Sequence, residues 1–356
     1  MKAYDVIGLM SGTSLDGLDI AHCTLELYNG KWKHSLNCAE TIKYSKDWYL
    51  KLKEAHFLSA EELLQTHSEY GVLLGNAVKG FIRNYNLKKV DLVSSHGHTI
   101  FHRPENGFTF QLGNGASLAS TCGIKTVCDF RITDVALKGQ GAPLVPIGDK
   151  LLFPEFEFCL NLGGFSNISF EDKGKRIAFD ICPVNTALNY LAAFKGKAFD
   201  RNGLLAESGK VDKGLLGKLN KLEYYHKKQP KSLGREWLLM YFLPIVDSYK
   251  IPAEDKLATV TEHVAWQISN VILNKSKKGK ILITGGGTNN KFLINKIKEK
   301  LLTHQIIIPS QNLIDFKEAL IFAFLGVLKI EQKINTLSSV TGAIKDSSGG
   351  TVFLGV

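Results

Sequence analysis

The stretch that narrows the choice of fold furthest is Ile7–Asp19, Ile-Gly-Leu-Met-Ser-Gly-Thr-Ser-Leu-Asp-Gly-Leu-Asp. It joins two apolar runs, Tyr4–Met10 and Leu18–Leu27, whose pattern predicts strands. The stretch Ile7–Asp19 holds three glycines, two serines, a threonine and two aspartates. That is too polar for a core and too rich in glycine for an ordinary two-residue hairpin. Glycine permits positive φ and close approach of a ligand. Hydroxyls and successive backbone N–H groups then form a concavity suited to phosphate oxygens. Asp16 and Asp19 would repel a bare phosphate, yet they suit Mg²⁺ or a ligand hydroxyl. An elaborate turn that uses glycine only for geometry fits the same residues.

A second segment of this kind follows. Glu157–Asn161 predicts a strand, Leu162-Gly-Gly-Phe-Ser-Asn167 a glycine-hydroxyl turn, and Ile168-Ser-Phe170 a returning strand. Two such hairpins point to an internal duplication, one opening each half, with two lobes offering phosphate-binding turns to a shared cleft. Lys280-Ile-Leu-Ile-Thr-Gly-Gly-Gly287 predicts a buried strand that empties into three glycines, with a helix over Asn290–Leu301 behind it. That unit brings backbone amides and a helix N-terminus against a nucleotide. Strands and helices alternate in both halves, so the class is α/β in two lobes. The prolines and glycines of Lys138–Pro146 mark the best junction, giving lobes over 1–150 and 151–356, with the last segment free to pack back on the first lobe. Further helices are predicted over Ser59-Ala-Glu-Glu62 onward, from its capping box, and over Lys256–Ser276. The Ser/Thr/Gly-rich tail Ser338–Gly350 ends in an apolar Val352–Val356 that suggests docking.

Length and composition set limits. The chain of 356 residues, 44% hydrophobic and 22% charged, suits a soluble globular protein of roughly two domains. The net charge of +10 is dispersed over candidate helix faces such as Lys275–Lys280, with no compact basic stripe, which argues against nucleic-acid binding. Six cysteines without a C-x-x-C pair read as reduced core thiols. No apolar run approaches the ~18 residues of a membrane span, and the N-terminus lacks a leader pattern. The expectation is a cytoplasmic protein with no membrane partner.

Two constellations carry chemistry. His96, His98 and His102 fall at even spacing and would share one face of an extended strand, a zinc-like array that gives a metal-dependent hydrolase as an alternative function. No second cluster completes a ligand set, and Gly97 and Pro104 interrupt the strand, so hydrogen bonding to a polar ligand or to one another is the favoured reading and no protein-held metal is expected. The second is a set of polar residues at strand ends: Asp16, Asp129, Arg131, Asp180 and Asn185. Asp180 closes an apolar run, where desolvation raises a carboxyl pKa and readies it to accept a proton. A helix N-cap is the alternative role. The residues together describe an ATP-dependent phosphotransferase with Mg²⁺ and a polar substrate in an interlobe cleft.

The chain also resembles a known family. The resemblance runs through Gly8-Leu-Met-Ser-Gly-Thr-Ser-Leu-Asp-Gly17, Ser95-His-Gly-His-Thr99, Asp129-Phe-Arg131, Gly139-Gln-Gly-Ala-Pro-Leu-Val-Pro146 and Asn161-Leu-Gly-Gly164. It continues through Phe179-Asp180, Asp200-Arg-Asn-Gly203, Pro230-Lys-Ser-Leu-Gly-Arg-Glu236, Gly285-Gly-Gly287 and Ser339-Val-Thr-Gly342. These residues resemble the anhydro-N-acetylmuramic acid kinases, of the actin/hexokinase/Hsp70 fold group. The resemblance implies a two-lobed actin-like ATPase (ribonuclease H-like) fold with an interlobe cleft. The implied reaction opens 1,6-anhydro-N-acetylmuramic acid by hydrolysis and phosphorylates O6, in cell-wall sugar recycling. Carried over, Gly12, Thr13, Ser14, Leu15, Asp16, Gly17, Leu18 and Asp19 would hold ATP phosphates with Gly163 and Gly164. Gly285, Gly286, Gly287 and Asn289 would lie on the nucleotide, and Asp180 would be the catalytic base. His96, Thr99, Asp129, Arg131 and Gln140 would line the sugar side, with Arg131 toward the lactyl carboxylate. Asn167, Asn185 and Glu318 would complete the substrate set or orient water and Mg²⁺. The resemblance also suggests a homodimer. Two departures stand out. Asp180-Ile-Cys-Pro-Val-Asn185 replaces the family's Asp-Thr-Gly-Pro-Gly-Asn, which predicts a loop of different shape and admits a non-catalytic ATP-binding protein as the alternative. His98 stands where the family usually has glutamine.

Overall fold

The structure, a computed structural model, describes residues 2–356. Residues up to Phe153 together with Asp315–Val356 form one compact unit, and Pro154–Ile314 form a second. The first unit begins with strands β1 (Lys2–Ser11), β2 (Leu18–Tyr28), β3 (Lys31–Ile42), β4 (Leu92–Arg103), β5 (Phe108–Leu112) and β6 (Thr126–Cys128). The second holds β7 (Phe158–Leu162), β8 (Phe165–Asp172), β9 (Lys175–Pro183), β10 (Gly279–Thr284) and β11 (His304–Ile307). The tail docks as expected: β12 (Thr351–Phe353) pairs antiparallel with β6 in the first unit.

The sheets share one plan. In the first unit the order is β3-β2-β1-β4-β6-β12, with β5 beside β4. In the second it is β9-β8-β7-β10-β11. Each unit opens with a three-stranded antiparallel meander, then adds two parallel strands beside the first. That 3-2-1-4-5 order is the ribonuclease H-like arrangement, and the duplication expected from two hairpins extends to five strands in each sheet, β5 and β12 being additions to the first. The inner strands are apolar on both faces because both are covered: Val6, Ile7 and Leu9 of β1, and Ile281–Ile283 of β10, are buried.

Helices follow their local signals. Ser59 and Glu62 close a reciprocal capping box at the start of the helix Ala60–Asn84, which turns Tyr70, Leu74, Val78 and Phe81 into the core. The long helix of the second unit runs over Ala253–Leu273, shifted three residues N-terminal to the span expected, because Pro252 sets its start and the chain turns tightly onto Ile272 after Leu273. In the first unit, Gly8 lets the apolar helix Gln311–Ile330 settle directly on β1. A Cβ at Gly8 would lie 2.0 Å from the Ala319 carbonyl oxygen. This contact carries Glu318 to the sheet beside the β1–β2 turn. The Lys138–Pro146 segment lies within the first unit, where Asp134 binds it: its carboxylate accepts from Gly141 N–H at 2.7 Å and from Thr341 Oγ at 2.7 Å.

β4 is irregular at Gly97, as expected, but it is not broken there. It runs on to Arg103, just before Pro104, with Gly97 at φ 72° and a register shift against β1 between Leu9 and Ser11. The bulge disturbs the even spacing of the three histidines. One expectation needs correction: β9 does not end at Asp180 but continues to Pro183, so Asp180 is no helix cap; the following helix starts at Asn185 without a side-chain cap.

Candidate active site

In the first unit the β1–β2 ladder closes up to the pair Ser11 and Leu18, leaving Gly12–Gly17 as the turn. Leu15 N–H donates to the Gly12 carbonyl at 3.2 Å, and Leu15 takes φ 61°. The side chains of Leu15 and Leu18 pack into the apolar core, so these two residues offer only main chain to a ligand. Thr13, Ser14 and Asp16 are exposed. Ser14 Oγ donates to Asp16 Oδ1 at 2.8 Å, and Thr41 Oγ donates to Asp19 Oδ1 at 2.6 Å. Burial pushes the Asp19 carboxyl up from its ordinary value; the Thr41 bond opposes the rise, and the charges of Asp16 and Asp315 add to it. The turn therefore presents oxygen donors, each carboxylate having one oxygen already tethered.

Beside it stands a second group of expected site residues. Glu318 keeps solvent contact in a recess dense with protein. Burial raises its pKa, the cations of Arg131 and Lys317 pull it back, and Asp19 pushes it further up. Arg131 donates from Nε (3.1 Å) and Nη2 (2.9 Å) to His96 Nε2, and from Nη1 (2.7 Å) to the Gly141 carbonyl. His96 Nε2 is thus an acceptor, and its proton lies on Nδ1, which donates to the Gly97 carbonyl at 2.8 Å. Burial, with the Arg131 charge added, holds His96 neutral far below its ordinary pKa. Asp129 follows β6 in the left-handed region, φ 62°, accepting from Cys128 Sγ at 3.3 Å. Thr99 accepts from Gln111 Nε2 at 3.4 Å, and Gln140 is exposed, held by its N–H on the Thr341 carbonyl at 2.8 Å.

The three histidines do not converge. His98 Nδ1 lies 2.8 Å from Ser11 Oγ, which lies 2.6 Å from the Tyr44 hydroxyl, itself 2.7 Å from the Tyr70 hydroxyl. His102 pairs instead with Thr109 Oγ at 3.0 Å. No group of three His, Cys, Asp or Glu side chains with metal-ligand geometry exists among the described residues.

The second unit gathers its own set around Gly163–Gly164, between β7 and β8. Val184 and Thr186 N–H donate to the Gly164 carbonyl and Asn185 N–H to the Gly163 carbonyl. Asn185 Nδ2 reaches the Leu162 carbonyl at 3.1 Å. Gly285–Gly287 closes over the same Leu162. Gly285 has φ 87°, and a Cβ on it would lie 2.4 Å from Asn161 Oδ1. Gly286 is exposed, with no atom nearer such a Cβ than Asn185 Nδ2 at 3.9 Å. Gly163, Gly164, Asn185 and the triple glycine are therefore one cluster, and Asn289 is exposed at its far end. The altered loop is accommodated within it. Cys182 and Val184 are fully buried, Val184 takes φ −125°, and the loop is a continued strand followed at once by helix.

Asp180 sits at an irregularity. Ser166 pairs with Cys182 and Asn167 with Asp180, which leaves Ile181 outside the register. Such a bulge re-aims side chains. Asp180 Oδ2 accepts from Leu233 N–H at 2.9 Å, while Oδ1 takes no protein hydrogen bond among the described residues. Burial raises its pKa and the Leu233 bond moderates the rise. Asn167, opposite, is exposed. The residues that hold Asp180, in the segment Tyr224–Leu233, escaped sequence reasoning. Their one signal was the motif Pro230-Lys-Ser-Leu-Gly-Arg-Glu236, to which no role attached.

Comparison with known proteins identifies the family. A family model described as anhydro-N-acetylmuramic acid kinase matches residues 4–355. Among curated proteins, the anhydro-N-acetylmuramic acid kinase of Sulfurimonas denitrificans is 34% identical, with 98% of each chain covered. Those of Francisella tularensis subsp. novicida (35%, 95% of each) and Mannheimia succiniciproducens (34%, 99% of each) are similarly related. The chain therefore belongs to the anhydro-N-acetylmuramic acid kinase family.

Proposed function

We propose that this chain uses ATP to convert 1,6-anhydro-N-acetylmuramic acid and water to N-acetylmuramate 6-phosphate and ADP, with Asp180 as general base. The observation that carries the reading is Asp180 itself: a half-buried carboxylate on a bulge, one oxygen pinned by an amide and the other unoccupied by protein. Pinning fixes its direction, and the raised pKa gives it proton affinity above that of an ordinary aspartate. Asp180 takes a proton from the water that attacks C1. The C1–O6 bond breaks, O6 bonds to the γ-phosphorus, and the bond to the ADP leaving oxygen breaks.

Gly12–Asp19, with Gly163 and Gly164, are assigned to the ATP phosphates, and Gly285–Gly287 with Asn289 to the nucleoside. The exposed hydroxyls of Thr13 and Ser14 and the open surface at Gly286 support this assignment. Asp16 and Asp19 suit a hard cation, because each has one tethered carboxylate oxygen and a second to offer. Mg²⁺ held there would neutralise phosphate charge during transfer. His96, Thr99, Asp129, Arg131, Gln140, Asn167, Asn185 and Glu318 are assigned to the sugar. Arg131 retains two N–H donors beyond those on His96 and Gly141, enough for a carboxylate. A cytoplasmic site of action is part of the proposal; no helix among the described residues is long and apolar enough to cross a membrane. A homodimer is the assembly proposed, and light scattering tests it. The decisive experiment incubates the protein with ATP and a panel of anhydro and open sugars and weighs the products. A gain of one water and one phosphoryl group on the anhydro sugar alone is expected; ATP consumption indifferent to the sugar defeats the proposal.

A further inference from the structure

β9 is the edge strand of its sheet, paired only with β8. An edge leaves backbone N–H and C=O groups that need partners. At Asp180 the segment Tyr224–Leu233 supplies them. The Lys231 carbonyl accepts from Asp180 N–H at 3.3 Å, and the Tyr224 hydroxyl donates to the Asp180 carbonyl at 2.6 Å. The same segment places the Leu233 N–H on the carboxylate. It is also tied to itself. Lys231 Nζ donates to the Tyr224 carbonyl at 3.1 Å and lies 4.6 Å from the Tyr224 ring centre and 5.7 Å from that of Phe179. Its root is buried. Tyr225 Oη lies 2.9 Å from His263 Nε2, and His263 Nδ1 lies 2.6 Å from Asn220 Oδ1. Burial keeps His263 neutral at pKa about 3.

We infer that Tyr224–Leu233 is a strap that positions Asp180 from the open edge of β9, with Tyr224 and Lys231 as its positioning residues. The inference rests on Asp180 being the base. Lys231 draws the strap's two ends together across the aromatic rings, Tyr224 fixes the backbone of Asp180, and the Leu233 amide then meets the carboxylate. A loosened strap withdraws that amide. The charged form of Asp180 loses its donor, its pKa rises, and the acid limb of the rate profile moves to higher pH. The other titratable groups facing Asp180 are Cys182 on its own strand and Tyr224 and Lys231 on the strap. Burial pushes the Cys182 thiol up to about 12 and the Tyr224 phenol higher still, so neither titrates in the acid range. Burial lowers the Lys231 ammonium.

The test compares Tyr224→Phe, Lys231→Met and Lys231→Arg with the unaltered enzyme. Tyr224→Phe changes no charge, so a shifted limb there reports geometry. Tyr224→Phe and Lys231→Met are expected to lower kcat about tenfold, less than the 10²–10⁴-fold that a general base supplies in full, with KM for ATP nearly unchanged. Both move the acid limb of kcat upward, and Lys231→Arg, which keeps a cationic donor over the rings, restores most of the rate. Variants that stay folded with the limb unmoved overturn the strap. Amide exchange gives a second measure: the Leu233 amide is expected to be protected in the unaltered protein and to lose protection in Asp180→Ala. An unprotected amide at the outset also overturns it. Turnover retained by Asp180→Asn removes the base assignment itself. An inactive Asp180→Asn with unmoved limbs in the strap variants removes only the strap.

Discussion

The two units run the same strand order to different chemical ends. In the first, the turn between the leading strands is long and carries exposed hydroxyls and the Asp16 carboxylate, the start of β2 adds Asp19, and the third strand, β3, contributes Thr41 to tether Asp19. In the second, the corresponding turn is two glycines whose carbonyls are bound by the chain after β9, and the third strand itself carries the carboxylate that matters, Asp180. A meander beside two parallel strands thus offers two places for function, the turn between strands one and two and the inner end of strand three. The first unit has loaded the turn and the second the strand.

The largest expected effect tests the strand. Asp180→Asn keeps the shape and removes the proposed base, so turnover of the anhydro sugar should fall by about 10²–10⁴-fold, while ATP binding measured by calorimetry persists. The raised pKa of Asp180 adds a pH signature. The base works only when ionised, so kcat should fall as pH drops through a value above the ordinary 3.8 of an aspartate. Stability runs the other way. Folding favours the protonated form of a carboxyl with a raised pKa, so this contribution is present below about 3.9 and lost as pH rises through the folded value. Asp180→Asn should therefore melt higher than the unaltered protein at neutral pH, with the difference vanishing in acid.

Next come the glycines that let each unit close. Gly8→Ala forces a methyl against the Ala319 carbonyl, and Gly285→Ala forces one against Asn161 at positive φ. Each should destabilise by roughly 1–3 kcal/mol, read by denaturant titration. Gly286→Ala meets no neighbour nearer than 3.9 Å and should leave stability within about 0.5 kcal/mol, so a nucleotide affinity change there reports the ligand and not the fold.

The turn of the first unit should respond more mildly. Asp19→Asn is expected to weaken the Mg²⁺ dependence of turnover about tenfold, roughly 1.4 kcal/mol, with kcat at saturating Mg²⁺ largely kept. If it costs as much as Asp180→Asn, the division between a loaded turn and a loaded strand is wrong. Smallest of all, Thr41→Val removes one hydrogen bond to a charged oxygen and should cost about 1 kcal/mol of stability, lifting the Asp19 pKa further because the Thr41 bond now holds it down.

Much of this was legible without coordinates. The hairpins at Gly12–Gly17 and Gly163–Gly164 announced themselves because a glycine-hydroxyl run between apolar runs has few other uses. Asp180 and the triple glycine stood out for the same local reason. The histidines' partners were not legible, because even spacing implies one face only while the strand is regular, and one bulge at Gly97 sends His96 to Arg131 and His98 to Ser11. The substituted loop is another case that sequence alone leaves open: Cys182 and Val184, which stand where the resemblance leads one to expect glycines, are buried in the core.

The sequence by itself determined the α/β class, the repeated hairpin and the residue types able to hold phosphate and accept a proton, since those depend on composition and spacing along a few neighbouring residues. Tertiary structure alone decided what each carboxylate experiences. Asp19 is tuned by Thr41 and Asp315, Glu318 by Arg131, and Asp180 by an amide more than fifty residues ahead of it in the chain. Desolvation and hydrogen bonding act through space over a few ångströms, and the partners that supply them here are far apart in the chain.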